Sequence, residues 1–181
     1  MTVTDVNVVK SAIFERPDDA NKGTLGSLLC VCGSYGMAGA AVMSAKGALR
    51  TGIGLAKCAL PRSIYPIVAQ TILESVYYPL SENADGRISK VNVPFLVSES
   101  CKSSATLVGC GLGVCDDTLK IVFSLIENST TPLVLDADAL NCVAKQPEIL
   151  LRKKAPIIIT PHPGEMSRLT GLATPLVNAE R

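Results

Sequence analysis

The fold is decided by the stretch Leu28-Leu-Cys-Val-Cys-Gly33-Ser-Tyr-Gly36-Met-Ala-Gly39-Ala-Ala-Val-Met-Ser-Ala-Lys-Gly-Ala-Leu-Arg50. It begins inside a short apolar run, residues 25–32, whose length and bounding glycines predict a buried strand. A glycine-rich loop, residues 33–39, follows at once. Residues 40–50 are then rich in small helix formers, and their apolar members fall on one helical face. A strand, a glycine loop and a helix in this order form the first part of a βαβ unit.

The same alternation continues along the chain. Further strands are predicted at residues 54–60, 74–80, 105–108, 132–135 and 156–159. Helices are predicted at residues 63–70, 90–100, 116–126, 139–154 with a break near Pro147, and 166–169, with a short one between Thr4 and Pro17. Strands that alternate with helices predict an α/β fold with a mainly parallel sheet that helices cover on both faces. We therefore expect one α/β domain over residues 1–181.

The composition is that of a chain able to bury a sizeable core. Hydrophobic residues make up 48% of the 181 residues and aromatic residues only 4%, so aliphatic side chains must fill that core. The 17 basic and 16 acidic residues give a net charge of +1, which supplies no electrostatic reason to bind nucleic acid or an anionic membrane. No apolar run approaches the roughly 20 residues that span a bilayer. We therefore expect a soluble, cytoplasmic protein.

The seven cysteines are scattered, odd in number and form no Cys-x-x-Cys pair. With one histidine, His162, the chain offers few ligands for zinc. Scattered cysteines in a cytoplasmic protein are typical of small, reduced core residues. We therefore expect seven free thiols that bind no metal.

Four polar or glycine-rich clusters each follow a predicted strand directly. They are residues 33–39, 109–113, 136–138 and 160–165. The carboxyl ends of parallel strands share one edge of the sheet, and ligands of open α/β sheets bind at that edge. We therefore expect the four clusters to converge on one cleft, although each alone is a weak signal.

The two glycine loops leave alternatives open. The loop 33–39 has the spacing Gly-x-x-Gly-x-x-Gly, which is neither the dinucleotide fingerprint nor a Walker loop. Taken alone it predicts a tight turn or an anion or ribose site equally well. The loop 109–113 has three glycines in five residues, which is more than one turn needs, and this favours the close approach of a ligand.

Polar residues of the last two clusters are candidates for the site. Asp136 and Asp138 could hold Mg²⁺ or a hydroxyl group; we expect Asp138 to cap the next helix and Asp136 to serve the site, as its one candidate magnesium ligand. Asn141 is either a surface residue or a neighbour of the site. His162, set between two prolines, is expected to point into the cleft, although a lone histidine is more often structural. Glu165 has an alternative role as a first-turn acid.

These residues resemble the NAD(P)H-hydrate dehydratase family of the ribokinase-like superfamily. The resemblance runs from Lys22 to the end of the chain, and Cys110 stands where the family usually has proline. The matching motifs are Lys22-Gly-Thr24, Gly33-Ser-Tyr-Gly-Met-Ala-Gly-Ala40, Ala48-Leu-Arg-Thr-Gly52-Ile-Gly54, Val108-Gly-Cys-Gly-Leu-Gly113, Leu135-Asp-Ala-Asp-Ala-Leu-Asn141 and Ile159-Thr-Pro-His-Pro-Gly-Glu165. The last two are the most specific. The resemblance implies a three-layer ribokinase-like fold.

The resemblance also implies a chemistry. Members use ADP or ATP, with Mg²⁺, to phosphorylate the hydroxyl of hydrated NADH or NADPH, and elimination of phosphate restores the cofactor. By position, Ala38, Gly111 and His162 match family residues that contact the hydrated dinucleotide. Six neighbours complete the expected substrate site: Gly36, Gly39, Gly113, Asp136, Asn141 and Glu165. The family's members often assemble as homo-oligomers.

Two family motifs are absent from the 181 residues, namely Lys-Gly-x-x-Thr and Gly-Gly-x-Gly-Asp. The second forms an anion hole and supplies the catalytic base. We therefore expect the C-terminal part of the fold to be missing, the catalytic Asp to lie beyond Arg181 and the 181-residue chain to be inactive alone. Two alternatives stay open: a small-molecule kinase of the superfamily, such as one for hydroxyethylthiazole or hydroxymethylpyrimidine, and a non-catalytic remnant that binds a dinucleotide.

Overall fold

The computed structural model of the protein describes residues 23–179. The helix predicted between Thr4 and Pro17, and Lys22 of the first motif, lie outside the described residues. Among residues 23–179, no helix combines the length and the apolar character that crossing a bilayer requires.

Strands and helices alternate through the described residues. The strands are β1 (Ser27–Val31), β2 (Leu55–Pro61), β3 (Val76–Leu80), β4 (Ala105–Val108), β5 (Leu133–Leu135) and β6 (Ile157–Ile159). The helices are α1 (Ala38–Arg50), α2 (Tyr65–Thr71), α3 (Val93–Cys101), α4 (Asp116–Asn128), α5 (Asp138–Val143), α6 (Pro163–Thr170) and α7 (Thr174–Ala179). Short 3-10 turns cover Lys90–Asn92 and Pro147–Arg152.

The strands form one parallel sheet, as predicted. Within the described residues its order is β3-β2-β1-β4-β5-β6, and every neighbouring pair of strands is parallel. The chain builds outward from β1 to β3, then returns to β4 on the other side of β1 and builds outward again. The point between β1 and β4 is therefore the topological switch point, where open α/β sheets bind ligands.

Both faces of the sheet carry a hydrophobic core. Strand β1 shows this directly, because its side chains alternate between the faces: Leu29 and Val31 pack into one buried cluster, and Cys30 into the other. The first cluster includes the apolar face of α4, and the second includes Ala41 and Ala45 of α1. The predicted three-layer arrangement is confirmed.

Proline accounts for two departures from the predicted helices. The break predicted near Pro147 is present, but helix α5 already ends at Val143, and a 3-10 turn rather than an α-helix begins at Pro147, because Pro147 lacks the N–H that would continue the α-helix. Helix α6 begins at Pro163 rather than at residue 166, since proline is favoured in the first helical turn.

Candidate functional site

The two glycine loops meet at the switch point. The backbone N–H of Gly33, which follows β1, donates to the carbonyl oxygen of Cys110, which follows β4, at 2.8 Å. One residue further along each loop, the buried hydroxyl of Ser34 donates to the carbonyl oxygen of Gly111 at 2.8 Å. Loops 33–39 and 109–113 therefore form one continuous floor at the carboxyl edge of β1 and β4.

The other two clusters join the same edge. A carboxylate oxygen of Asp138 accepts a hydrogen bond from the Gly113 N–H at 2.8 Å. The hydroxyl of Thr160, which follows β6, donates to Asp136, which follows β5, at 2.8 Å. The predicted convergence of the four clusters is therefore observed, and hydrogen bonds connect each cluster to the next.

Glycine is required where these loops touch. A Cβ atom on Gly109, whose φ is 130°, would lie 1.8 Å from the carbonyl oxygen of Asp136. One on Gly111, at φ 69°, would lie 2.7 Å from the Cβ atom of Ala40 at the start of α1. L-residues rarely adopt such φ values. The close packing of 109–113 against α1 and against the loop after β5 therefore depends on these glycines.

The turn between Asp136 and Asp138 is strained. Ala137 has φ 50° and ψ −113°, a conformation that costs an L-residue about 1–3 kcal/mol. The N–H of Ala139 closes the turn on the carbonyl oxygen of Asp136 at 3.0 Å. The prediction that Asp138 caps α5 is wrong: Ala137 is the N-cap residue, without a side-chain cap. The turn instead places the Asp138 carboxylate against Gly113.

Asp136 holds two loops together. One of its carboxylate oxygens accepts the Thr160 hydroxyl, and the other lies 3.3 Å from the Cys110 sulfur. Residues 23–179 contain no group of three or more His, Cys, Asp or Glu side chains placed to hold a metal ion. The observed contacts of Asp136 connect the loops after β4, β5 and β6, and its role as a magnesium ligand stays a prediction.

His162 caps α6. Its Nδ1 atom accepts the N–H of Gly164 at 3.0 Å, and Glu165 accepts the backbone N–H of His162 at 2.9 Å, which together form a capping box. The Glu165 carboxylate is buried, and the imidazole is 61% exposed. Glu165 therefore belongs to the cap, whereas His162 combines a capping contact with a ring that solvent or a ligand can reach.

A second set of polar contacts links α6 to α5. The Nε atom of Arg168 donates to the Asn141 side chain at 2.8 Å. The Asn141 amide donates to Asp138 at 3.3 Å, and Asp138 holds Gly113. Asn141 is therefore a neighbour of the site rather than an isolated surface residue. Ser34 and Arg168 are not among the residues that the sequence predicts for the site. The one available signal is their position, since Ser34 lies inside the first cluster and Arg168 three residues beyond the last.

Two adjoining cavities open beside the first glycine loop. One has a volume of about 390 Å³ and is lined by Tyr35, Gly36, Ala38, Gly39, Ser63, Ile64 and Ile67. The other has about 300 Å³ and is lined by Tyr35, Ser63, Glu82, Asn83, Ala84, Asp85 and Gly86. Three of the predicted site residues, Gly36, Ala38 and Gly39, line the larger cavity. Gly111 and His162 lie outside both linings, on the open part of the edge.

A turn that the sequence predicted only as a polar loop forms one wall. Glu82 and Ile88 pair as an antiparallel bridge, and the Tyr35 N–H donates to the carbonyl oxygen of Gly86 at 2.8 Å. A Cβ atom on Gly86 would lie 2.4 Å from the Cβ atom of Tyr35. The turn therefore packs directly on the first glycine loop and extends the crevice away from β1.

The seven cysteines are free thiols. Burial raises the pKa of Cys142 to about 12 and also raises the pKa of Cys30. Both therefore stay protonated near neutral pH and act as core side chains. Cys110 differs from these core cysteines in its surroundings. It is half-buried in the second glycine loop, and its thiol faces the Asp136 carboxylate.

Comparisons with known proteins agree with this geometry. The family model described as NAD(P)H-hydrate dehydratase matches residues 28–180. A bifunctional NAD(P)H-hydrate repair enzyme of Thermofilum pendens is 37% identical over 166 residues, covering 92% of this chain and 32% of that protein. An ADP-dependent (S)-NAD(P)H-hydrate dehydratase of Neisseria meningitidis is 32% identical, covering 92% of this chain and 53% of that protein.

A solved structure shows the same fold. The ADP/ATP-dependent NAD(P)H-hydrate dehydratase of Bacillus subtilis, co-crystallized with ATP/Mg²⁺, superposes with a TM-score of 0.75 at 27% identity. The match covers 97% of this chain and 58% of that one. The chain thus spans about a third of the bifunctional relatives and somewhat more than half of the single-function ones. From the family match and the shared fold, the chain belongs to the NAD(P)H-hydrate dehydratase family and has its ribokinase-like α/β fold.

Proposed function

We propose that the protein takes part in the ADP- or ATP-dependent dehydration of hydrated NADH and NADPH, and that residues 23–179 supply the surface that binds the hydrated dinucleotide. The observation that carries the proposal is the meeting of both glycine loops and the His162 loop on one edge of the sheet. The names of the Neisseria and Bacillus relatives support the reaction and both nucleotides. These names favour the dehydration reaction over the alternative that the protein is a small-molecule kinase of the superfamily.

The geometry suits a flat ring carrying a hydroxyl group. Gly36 and Gly39 line the larger cavity, and no described atom lies within 4 Å of the place where a Cβ atom on either would lie, so a ligand can approach the backbone there closely. Ala38 adds a small apolar surface beside them. The His162 imidazole is exposed at the carboxyl end of β6. Its Nδ1 atom accepts the Gly164 N–H and its Nε2 atom lies 3.2 Å from Glu165, so the ring would contact the ligand mainly through its exposed surface. In the proposed reaction the nucleotide phosphorylates the ring hydroxyl, and loss of phosphate together with a proton restores the double bond.

The two carboxylates of the loop after β5, Asp136 and Asp138, are not assigned as the base. Asp136 is engaged by Thr160 and Cys110, and Asp138 by Gly113 and Asn141. A base must instead lie within hydrogen-bond reach of the hydroxyl proton that it removes. We therefore expect a polypeptide of these 181 residues to bind hydrated NADH without restoring it, because losing a positioned base costs about 10²–10⁴ in rate.

The test compares ligands by isothermal titration calorimetry. Hydrated NADH, hydroxyethylthiazole and hydroxymethylpyrimidine are each titrated into the 181-residue polypeptide. The proposal expects hydrated NADH to bind and the two vitamin precursors to bind far more weakly. Preferential binding of either precursor would favour the kinase alternative. Recovery of NADH absorbance is followed in parallel with ADP or ATP, and rapid recovery by this polypeptide would place the base among residues 1–181.

A further inference from the structure

The guanidinium group of Arg168 is held by a hydrogen bond at its inner nitrogen, and its outer edge faces solvent. Its Nε atom donates to Asn141 at 2.8 Å. Within residues 23–179, neither terminal nitrogen of its guanidinium group has a hydrogen-bond or ion-pair partner, and the residue is exposed. The outer edge of the guanidinium group is therefore presented to solvent in a defined orientation.

The anchor leads directly to the second glycine loop. Asn141 donates to one oxygen of Asp138 at 3.3 Å, and the other oxygen accepts the Gly113 N–H at 2.8 Å. Three consecutive hydrogen bonds thus join Arg168 to the floor of the crevice. Such anchoring reduces the side-chain entropy that an arginine loses when it binds a ligand.

The open edge also lies beside the His162 loop. The Nη1 atom of Arg168 is 3.9 Å from the position that a Cβ atom on Gly164 would occupy. Gly164 is the residue whose N–H the His162 ring accepts. The guanidinium group therefore sits over the first turn of α6, at the same edge of the sheet as His162 and Gly113.

We propose that Arg168 binds a phosphate group at the mouth of this crevice. The inference rests on the proposed function, because both of its substrates, the hydrated dinucleotide and the ADP or ATP, carry phosphate. A guanidinium group with two free terminal nitrogens matches the oxygens of a phosphate in a bidentate pair. Arg87 is less suited to this task, since its guanidinium group packs over Gly113 and is engaged by Val114 and Asp85.

The test separates the source of the phosphate from a structural role. Three ligands are titrated into the 181-residue polypeptide: hydrated NADH, ADP, and the hydrate of reduced nicotinamide riboside, which has the ring and ribose but no phosphate. The variants are R168A, R168K and, as a matched control, R152A. Arg152 is an exposed arginine that pairs with Glu127 at 2.9 Å. Thermal melting confirms that each variant is folded.

The inference predicts a selective loss. R168A weakens binding of hydrated NADH or of ADP about 10- to 100-fold, the range for lost charge-assisted hydrogen bonds, and which of the two ligands is affected identifies the source of the phosphate. Binding of the riboside hydrate stays unchanged, R168K recovers part of the loss, and R152A matches the unaltered protein. Added salt weakens the phosphate-dependent part.

Each other outcome overturns one proposal or both. Equal weakening of the phosphate-bearing ligands and of the riboside by R168A would mean that Arg168 only supports the loops. No weakening of any ligand would exclude a contact with the phosphate. Binding of ADP that depends on Arg168, without any binding of hydrated NADH or its riboside, would keep the phosphate contact and overturn the proposed function. A failure of the unaltered polypeptide to bind all three ligands would overturn both.

Discussion

The buried hydroxyl of Ser34 donates a 2.8 Å hydrogen bond to the carbonyl oxygen of Gly111, 77 residues further along the chain. The bond crosses the switch point between β1 and β4, where the two glycine loops form the floor of the crevice. If the Ser34 hydroxyl is removed, the Gly111 carbonyl oxygen loses its hydrogen-bond partner at a buried position. The bond therefore contributes to the stability of the fold and also fixes the shape of the site.

Ser34→Ala should lower both stability and ligand binding. Loss of the hydroxyl leaves the Gly111 carbonyl without its partner in a buried setting, which costs about 1–3 kcal/mol. Urea unfolding measures the stability, and calorimetry with hydrated NADH measures the affinity. Thr71→Ala is the control, because its exposed hydroxyl bonds a carbonyl oxygen of its own helix. Equal unfolding free energies for the two variants would show that the Ser34 bond contributes nothing particular.

Gly39→Ala tests whether a ligand approaches the start of α1. A Cβ atom there meets no atom of residues 23–179 within 4 Å, but Gly39 lines the larger cavity. The free energy of unfolding of Gly39→Ala should stay the same or rise by up to about 1 kcal/mol, because alanine is a better helix former than glycine. Binding of hydrated NADH should weaken by about tenfold, because the added methyl group would occupy space that the ligand needs.

The matched control is Gly47→Ala on the same helix. Within the described part of the chain its Cβ atom would also meet no atom within 4 Å, and Gly47 lines neither cavity beside the first glycine loop. It should therefore change stability in the same direction and leave affinity unaltered. Matching affinities for the two variants in side-by-side titrations would place the ligand away from α1.

Two substitutions separate the capping role of His162 from its ligand role. His162→Ala removes the acceptor of the Gly164 N–H and should cost about 1 kcal/mol of stability. His162→Asn keeps a capping acceptor and should restore most of that stability. Both variants should bind hydrated NADH more weakly, by about 3- to 10-fold, because each removes the exposed imidazole ring that would contact the ligand. Full recovery of affinity by His162→Asn would mean that His162 acts only through the cap.

Glu99 should make stability depend on pH. A hydrogen bond from Lys102 is the main cause that lowers the pKa of Glu99, and Tyr78 and Lys57 act in the same direction. A carboxyl group with a lowered folded-state pKa stabilises the fold above its unfolded pKa of about 4.3, and that contribution is lost as the pH falls through the folded value. Glu99→Gln should therefore cost about 1–3 kcal/mol at pH 7 and progressively less in acid.

The effect of Glu99→Gln is measured as a difference in the free energy of unfolding. Urea unfolding of the unaltered protein and of the variant between pH 7 and pH 3 gives this difference at each pH. Glu127→Gln is the control, because Glu127 pairs with Arg152 in a more exposed setting, where an ion pair contributes about 0–1 kcal/mol. A Glu99→Gln penalty that stayed constant down to pH 3 would contradict the assigned direction of the pKa.

The strands and their common edge could be predicted because their signals are local. A short apolar run followed by glycines marks both β1 and β4, and parallel topology then places the following loops together. The Thr-Pro-His-Pro-Gly-Glu string likewise predicts a loop after β6 and then a helix, although the helix begins at Pro163 rather than at residue 166. Each of these features depends on residues that are close together in the chain, so the sequence alone is enough to predict it.

The side-chain contacts of the site could not be predicted in the same way. The roles of Ser34 and Arg168 depend on partners 77 and 27 residues away. The sequence predicts that Asp138 is a cap, because an acidic residue directly before a helix is commonly its N-cap. The positive φ of Ala137 redirects it to Gly113, and no propensity predicts that conformation for alanine.

The most direct test of the central claim is to map hydrated NADH on the 181-residue polypeptide by amide chemical-shift changes in NMR. We predict saturable changes concentrated in residues 33–39, 109–113 and 160–165, on the edge where β1, β4 and β6 end. The absence of binding, or changes confined to the opposite edge of the sheet, would contradict it.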